Sequence, residues 1–161
     1  MGKSLPTSLD IRPATAADAA AVLACLAEAF EPFRDAYSRQ GFEGSALTAD
    51  TIHTRLREMD VFVAEVEGRT IGTIATCVIP PSDGHLRGMA IVPEWQGRGI
   101  ADKLLEFAEL RLQSQKCSRV TLDTTSPLQR AIRFYEKHGY RATGKIGDHF
   151  GMPLYEYAKE L

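Results

Sequence analysis

The sequence predicts a single mixed α/β domain over residues 1–161: a mostly antiparallel sheet of about seven strands with about four helices on its faces. Three observations carry this. Val61–Val66 and Thr70–Ile79 flank Glu67-Gly68-Arg69, a hairpin pattern that sets antiparallel strands early in the chain. Ile100–Leu112 carries a helical stripe between the β-branched runs His85–Val92 and Arg119–Thr124, which makes a strand–helix–strand unit. The 161 residues are 44% hydrophobic, enough for one core, and no repeat or low-complexity linker divides them.

In chain order, Leu9–Pro13 reads as a short strand. Thr15 is placed to cap a helix, with Asp18 in its first turn. Ala19–Phe30 follows with Val22, Leu23, Leu26, Ala29 and Phe30 at helical spacing, and Pro32 ends or kinks it. A polar stretch around Gly41 and Gly44 reads as a connection to a second helix near Ala49–Glu58. After the hairpin, Pro80-Pro81-Ser82-Asp83-Gly84 is a loop. The helix from Ile100 has its stripe at Ile100, Leu104, Ala108 and Leu112. Leu128–Lys137 repeats the pattern at Leu128, Ala131, Ile132 and Tyr135, and Gly139 stands just past its end. Tyr140–Ile146 and Leu154–Ala158 close the chain as strands.

Nineteen basic and 21 acidic side chains leave a formal charge of -2, so no strong basic field exists to hold nucleic acid or an anionic membrane. Cys25, Cys77 and Cys117 are odd in number and widely spaced, with no CxxC and no zinc-like spacing. They read as small buried or half-buried thiols, and no metal is expected. MGKSLPTS has no apolar segment of a signal peptide, and Pro6 stands where the myristoylation pattern after Met1-Gly2 needs Ser or Thr. The default expectation is a cytoplasmic protein, monomer or homodimer.

The segment MAIVPEWQGRGIADKLL, Met89–Leu105, sets Gly97 and Gly99 where a helix is about to start, although glycine is among the poorest helix formers. The first amides of a helix have no partner inside it and carry the positive end of its dipole. Glycine removes the Cβ that would hold a ligand away, so the segment suits a phosphate or pyrophosphate. A Rossmann fingerprint fails at Asp102, and a P-loop is absent. What remains is Gln96-x-x-Gly99-x-Ala101. Arg98 and Lys103 read equally well as phosphate partners or as solvated charges.

In this context the chain resembles the GNAT superfamily of acyl-CoA-dependent N-acetyltransferases, most strongly from about His85 to Tyr140. GMAIVPEWQGRGIADKLL is similar to that family's pyrophosphate-binding segment, and AIRFYEKHGY to its second conserved block, with Tyr135 at the usual tyrosine position. The resemblance implies acetyl-CoA as co-substrate, lying between the strands that end at Val92 and Thr124. Met89, Ala90 and Ile91 would pair with the pantetheine arm, and amides from Gly97 through Arg98, Gly99, Ile100 and Ala101 to Asp102 would hold the pyrophosphate. Many members carry an asparagine seven residues before the tyrosine. Leu128 stands there, and Gln129 is the candidate substitute.

Acetyl transfer to an amine needs a neutral amine, a polarised carbonyl and a proton for the leaving thiolate. A lysine-like amine of pKa ~10.4 costs about 4.6 kcal/mol to hold neutral at pH 7, against about 1 kcal/mol for an α-amine near ~7.8. A strong base is therefore needed only for a strongly basic acceptor. Tyr135 is the candidate general acid. By the resemblance, His85 occupies the position of a frequent glutamate and is the candidate base, with Asp83 or a water chain as alternatives. The implied acceptor pocket takes Phe33, Arg34 and Tyr37 from the early helices and Asp148, His149 and Phe150 from the last strands. The alternative to a small-amine or peptide-amine N-acetyltransferase is a non-catalytic acyl-CoA-binding module on the same fold.

Overall fold

The computed structural model describes residues 4–161, so the Met1-Gly2 pattern lies outside the described residues. Seven strands form one sheet: β1 (Leu9–Pro13), β2 (Asp60–Val66), β3 (Arg69–Ile79), β4 (Asp83–Ile91), β5 (Arg119–Thr124), β6 (Arg141–His149) and β7 (Met152–Glu160). Their spatial order is β1-β2-β3-β4-β5-β7-β6. Only β4 and β5 are parallel; every other neighbour pair is antiparallel. The helices are α1 (Ala19–Phe30), α2 (Arg39–Ala46), α3 (Thr51–Glu58), α4 (Ile100–Ser114) and α5 (Gln129–Lys137).

Alternation along the strands sorts the core into two layers. Phe62 and Ala64 of β2 join Ile71, Ile74 and Leu86 on the face covered by α4, whose Ile100, Leu104, Leu105, Ala108 and Leu112 are all buried. Fully burying a Leu or Ile stabilises by about 1.5–3 kcal/mol, so this stripe is what fixes α4 on the sheet. Val61, Val63, Ala75 and Ala90 point the other way, against Val22, Leu26, Phe42 and Ile52 of α1, α2 and α3. The β2–β3 hairpin turns on Glu67 at φ 50° and Gly68 at φ 80°, the left-handed pair that matches strand twist.

Two expectations are corrected. Thr15 opens a 3-10 turn, Ala16–Asp18, which runs into α1, rather than capping α1 itself. There the Asp18 carboxylate accepts the Thr15 N–H at 2.7 Å and pairs with Arg12 at 2.8 Å. The Arg12 guanidinium and this N–H hold the Asp18 carboxyl down to about 2. The second correction is α2, which folds where glycines suggested a loop. Ser38 caps it, its Oγ accepting the Gly41 N–H at 3.1 Å. The glycines serve close approach: a Cβ on Gly44 would stand 2.7 Å from the Phe150 ring, and the Gly41 carbonyl accepts from His149 Nε2 at 3.0 Å. Packing against the β6–β7 turn thus outweighs poor helix propensity.

Candidate active site

The parallel pairing of β4 with β5 runs only from Asp83–Arg119 to Leu86–Leu122. Beyond it β4 stays with β3 as far as Gly72–Ile91, and β5 stays with β7 as far as Thr124–Tyr155. The facing edges therefore separate, and the carboxyl ends of two parallel strands open a cleft, as happens at switch points of α/β sheets. A register shift in β4 lies here, where Gly88 takes φ 60°.

The cleft holds a cavity of about 430 Å³. Met89, Ala90 and Ile91 form one wall, and Gln96, Gly97, Gly99, Ile100, Ala101 and Asp102 form its end. Phe30 and Phe33 of the α1 side and Leu128, Ala131, Phe134 and Tyr135 of the α5 side close it with apolar surface. Gly97 and Gly99 have φ of 75° and 86°, so left-handed backbone is a second reason for glycine at both. After Gln96, whose N–H bonds Pro93, the next backbone amide with a backbone acceptor in this loop is that of Lys103, to Gly99 at 3.3 Å. Among the described residues the intervening amides have no acceptor, as the first donors of a helix do.

Gln96 fastens this loop: its Nε2 donates to the Ile91 carbonyl at 3.0 Å, and its Oε1 accepts from Arg130 Nη1 at 3.2 Å. Arg130 and Lys137 of α5 thereby bring positive charge to the cleft. Asp102 is engaged by His138 Nε2 at 2.7 Å. Arg98 and Gln129, both expected at the cofactor, stand outside the lining. The Arg98 guanidinium stacks over Trp95, 4.4 Å from the ring centroid. Gln129 Nε2 turns back to the Ser126 carbonyl at the start of α5. Lys103 faces Glu106 at 3.5 Å instead of the loop. Arg130 went unpredicted because it reaches the loop from a different helix, 34 residues beyond Gln96.

Tyr135 is buried in the cleft wall, edge-on to Phe134 and Tyr140 at 5.4 and 5.5 Å between ring centroids. Its hydroxyl has no hydrogen-bond partner among the described residues, and burial pushes its pKa well above 10. It is a phenol at any neutral pH, a donor without a partner.

A second cavity, of about 600 Å³, opens between the C-terminal end of α3 and strands β3 to β7. Glu58, Arg87, Asp123, Lys145, Asp148 and Glu156 bring charge into it, and His85 an imidazole. His85 is buried. Its Nδ1 lies 2.8 Å from Thr121 Oγ1, and that hydroxyl donates to the Gly84 carbonyl at 3.4 Å. This chain assigns the proton to Nδ1 and leaves the Nε2 lone pair, 3.6 Å from Asp123 Oδ2. Burial lowers the His85 pKa, with Asp123 opposing in part, so the ring is neutral near pH 7 and able to accept a proton. Asp83, the alternative base, faces away and pairs with Arg119 at 3.3 Å.

The six expected acceptor residues do not share one pocket. Asp148 lines the larger cavity, and Phe33 lines the cleft. Arg34 is exposed, doubly bonded to Glu31 at 2.8–3.0 Å and stacked over Phe42. Tyr37 is buried, its hydroxyl 2.5 Å from Thr125 Oγ1. His149 bonds Gly41 and Ser45 of α2 at 3.0 and 3.1 Å, and its ring meets Tyr37 and Phe150 edge-on. Tyr37, His149 and Phe150 thus clasp α2 to the β6–β7 turn, and line neither cavity. Asp123 and Glu156 carry charge to the larger cavity instead, from strands adjacent only in the folded sheet.

The sequence model of the acetyltransferase (GNAT) family matches residues 23–140. The chain belongs to this family, and is an acyl-CoA N-acyltransferase by fold and family. Among solved structures it is similar to a PaiA N-acetyltransferase from Thermoplasma acidophilum in complex with coenzyme A, at TM-score 0.80 and 18% identity, covering 96% of this chain and all of that one (100%). It is also similar to a GCN5-related N-acetyltransferase from Rhodopseudomonas palustris, at TM-score 0.79 and 20% identity over 99% of this chain and 100% of the other. A ribosomal-protein-alanine N-acetyltransferase from Brucella melitensis matches at TM-score 0.73 and 22% identity, over 94% of this chain and 99% of that one. At these identities the likeness is one of fold. No helix among the described residues is long and apolar enough to cross a membrane, and none of their His, Cys, Asp and Glu side chains form a group suited to a metal ion.

Proposed function

We propose that the chain moves an acetyl group from acetyl-CoA to a primary amine by direct attack, with both substrates bound together. One observation carries this: a single cavity joins the open edge of β4, the amides after Gln96 that have no acceptor among the described residues, and Tyr135. The fit to the co-substrate is specific. The open edge from Met89 to Ile91 suits an amide-bearing chain such as pantetheine, and the Gly97–Asp102 amides with Arg130 suit a pyrophosphate. The half-buried Leu128, Ala131 and Phe134 offer apolar wall where an asparagine is frequent in the family. Bound acetyl-CoA supplies an activated thioester carbonyl.

The residues then divide the proton work. The Nε2 lone pair of His85 takes a proton from the acceptor ammonium, directly or through one water, and Asp123 stabilises the imidazolium that results. A backbone N–H of the Met89–Ile91 edge polarises the carbonyl oxygen. As the amine nitrogen bonds to the acetyl carbon and the carbon–sulfur bond breaks, the Tyr135 hydroxyl gives its proton to the leaving sulfur. The test measures melting temperature and free thiol release together. Acetyl-CoA in ~100-fold excess over Kd stabilises by about 2.7 kcal/mol, while NAD and ATP do not. Thiol release with an amine panel separates the enzyme from a non-catalytic acyl-CoA binder. No melting shift with acetyl-CoA refutes both.

A further inference from the structure

The larger cavity sets Glu58, Asp123, Asp148 and Glu156 against Arg87 and Lys145. With His85 neutral, two cations against four carboxylates leave its lining a formal charge of -2. The sheet forces two of these carboxylates together: Asp123 of β5 and Glu156 of β7 are direct register partners. Residues so opposed in an antiparallel pair project to one face with Cβ atoms about 4.5–5.5 Å apart, and like charges there are destabilising. Lys145 answers them poorly: it stands 3.9 Å from Glu156 with its side chain 77% exposed, a solvated pairing of little worth. Asp148 accepts the Gly151 N–H of the β6–β7 turn at 3.2 Å, and neither it nor Glu58 has an ion pair among the described residues. The carboxylates do not stand alone. The His85 side chain in the same lining is only 10% exposed, and its Nε2 makes no hydrogen bond among the described residues. With Nδ1 held by Thr121, the partner this buried nitrogen lacks is an N–H donor.

The position of the carboxylate pair ties it to the chemistry. Parallel pairing of β4 with β5 ends at Leu86–Leu122, and Asp123 is the next residue, so the pair stands where the acyl-CoA cleft opens. Resting on the acetyl-transfer reading, we propose that the acceptor is a small diamine or polyamine, bound as a polycation. Its reacting nitrogen enters between His85 and the Asp123–Glu156 pair and gives its proton to Nε2. A second nitrogen keeps its proton and meets Asp148 and Glu58. An amino acid would instead bring a fifth carboxylate to the four already there, and a monoamine would leave Asp148 and Glu58 unanswered. The carboxylates come from α3, β5 and the β6–β7 pair, walls that converge on one cavity of about 600 Å³. That arrangement suits a short chain of methylenes with two or three nitrogens, whereas a basic peptide would need carboxylates in a row along one face.

The experiment measures kcat/KM with acetyl-CoA for putrescine, cadaverine and spermidine, for butylamine and pentylamine, for γ-aminobutyrate, and for a lysine peptide blocked at both ends. Acetyl-CoA binding is followed in parallel by melting temperature. Each diamine is expected to exceed the monoamine of equal length by about ten- to a hundredfold, the range of a hydrogen bond to a charged group. Added salt narrows that margin. Asp148→Asn with Glu58→Gln, both at exposed positions, brings the diamine toward the monoamine, the loss falling in KM rather than kcat. Asparagine still accepts the Gly151 N–H, so the turn is kept. Should the double variant fail to fold, the diamine margin of the unaltered protein and its response to salt decide. Equal turnover of monoamines, faster turnover of γ-aminobutyrate, or a diamine margin untouched by the two substitutions overturns the proposal while acetyl-CoA still binds. A blocked lysine peptide preferred over every free diamine overturns it too, and makes the acceptor a protein side chain. Absence of a melting shift with acetyl-CoA removes the acetyl-transfer reading itself. Calorimetric titration of spermidine against butylamine then still decides the cation site, and equal or absent binding of the two overturns it.

Discussion

Replacing Gly99 with alanine separates two reasons for glycine at the start of α4. Gly99 sits at φ 86° and ψ 7°, left-handed backbone that costs an L-residue roughly 1–2 kcal/mol. A Cβ there meets Leu5 at 3.5 Å, an ordinary contact, so no collision adds to the strain. For a domain of this size each kcal/mol lowers Tm by about 2–4 °C, which gives a fall of about 2–8 °C. A protein with typical stability of about 5–15 kcal/mol remains folded after that loss, so strain alone would leave the Kd for the proposed co-substrate, acetyl-CoA, unchanged. If the amides around Gly99 grip a pyrophosphate, the added methyl stands in the path of the phosphate oxygens. Kd then rises at least tenfold, or about 1.4 kcal/mol. Calorimetric titration of acetyl-CoA into both proteins, with melting curves on the same samples, reads the two effects separately. A lowered Tm with unaltered Kd would refute close approach of the phosphate and leave backbone handedness as the whole reason for the glycine.

Three further outcomes are expected. Tyr135→Phe lowers kcat by ~10²–10⁴-fold with the acetyl-CoA Kd little changed; because the hydroxyl has no partner, Tm does not fall, and wild-type kcat would remove Tyr135 from the proton chemistry. His85 has a pKa below its ordinary 6.5 in the folded protein, so the unfolded chain binds the proton first as pH falls. Its contribution to stability is complete above ~6.5 and declines as pH drops from there through the folded pKa; an acid limb of kcat/KM lies in the same lower window and disappears in His85→Gln, and a limb surviving that change belongs to another group. Gly84→Ala drives a methyl to 2.6 and 2.8 Å from the two δ-carbons of Leu112, which is fully buried, and overpacking of this kind costs about 1–3 kcal/mol by chemical denaturation.

Local pattern is what made much of this readable beforehand. The β2–β3 hairpin, the α4 stripe and the glycine-bearing helix start each occupy one continuous run, so spacing alone exposes them. The helix α2 escaped because its glycines are explained by Phe150 and His149, about a hundred residues away in the chain. Charges were harder still. Arg98 read equally well as a phosphate partner or a solvated charge by adjacency, yet its guanidinium stacks on Trp95 outside the cleft lining, while Arg130 arrives at Gln96 from α5. His85 was found through the resemblance, but Asp123 and Thr121 beside it depend on the parallel register of β4 and β5, which periodicity does not reveal. Arg55 of α3, half-buried and with no ion pair among the described residues, gave no signal, since an arginine on a polar helix reads as solvated.

The short parallel seam has a consequence for how the molecule holds together. Strands β1 to β4 form one leaf and β5, β7 and β6 another, and among the described residues the strand pairs stitching leaf to leaf run only from Asp83–Arg119 to Leu86–Leu122, with the Ser118 N–H to Ser82 carbonyl bond at 2.9 Å beside them. A ligand laid along the open edge of β4 acts as a wedge that is also a fastener: its amides continue the ladder on one side while its body fills the gap to the other. Amide protons near the seam, slow to exchange on one leaf and exposed at its margin, would become protected together when the wedge is seated, so that the sheet is whole only while a substrate completes it.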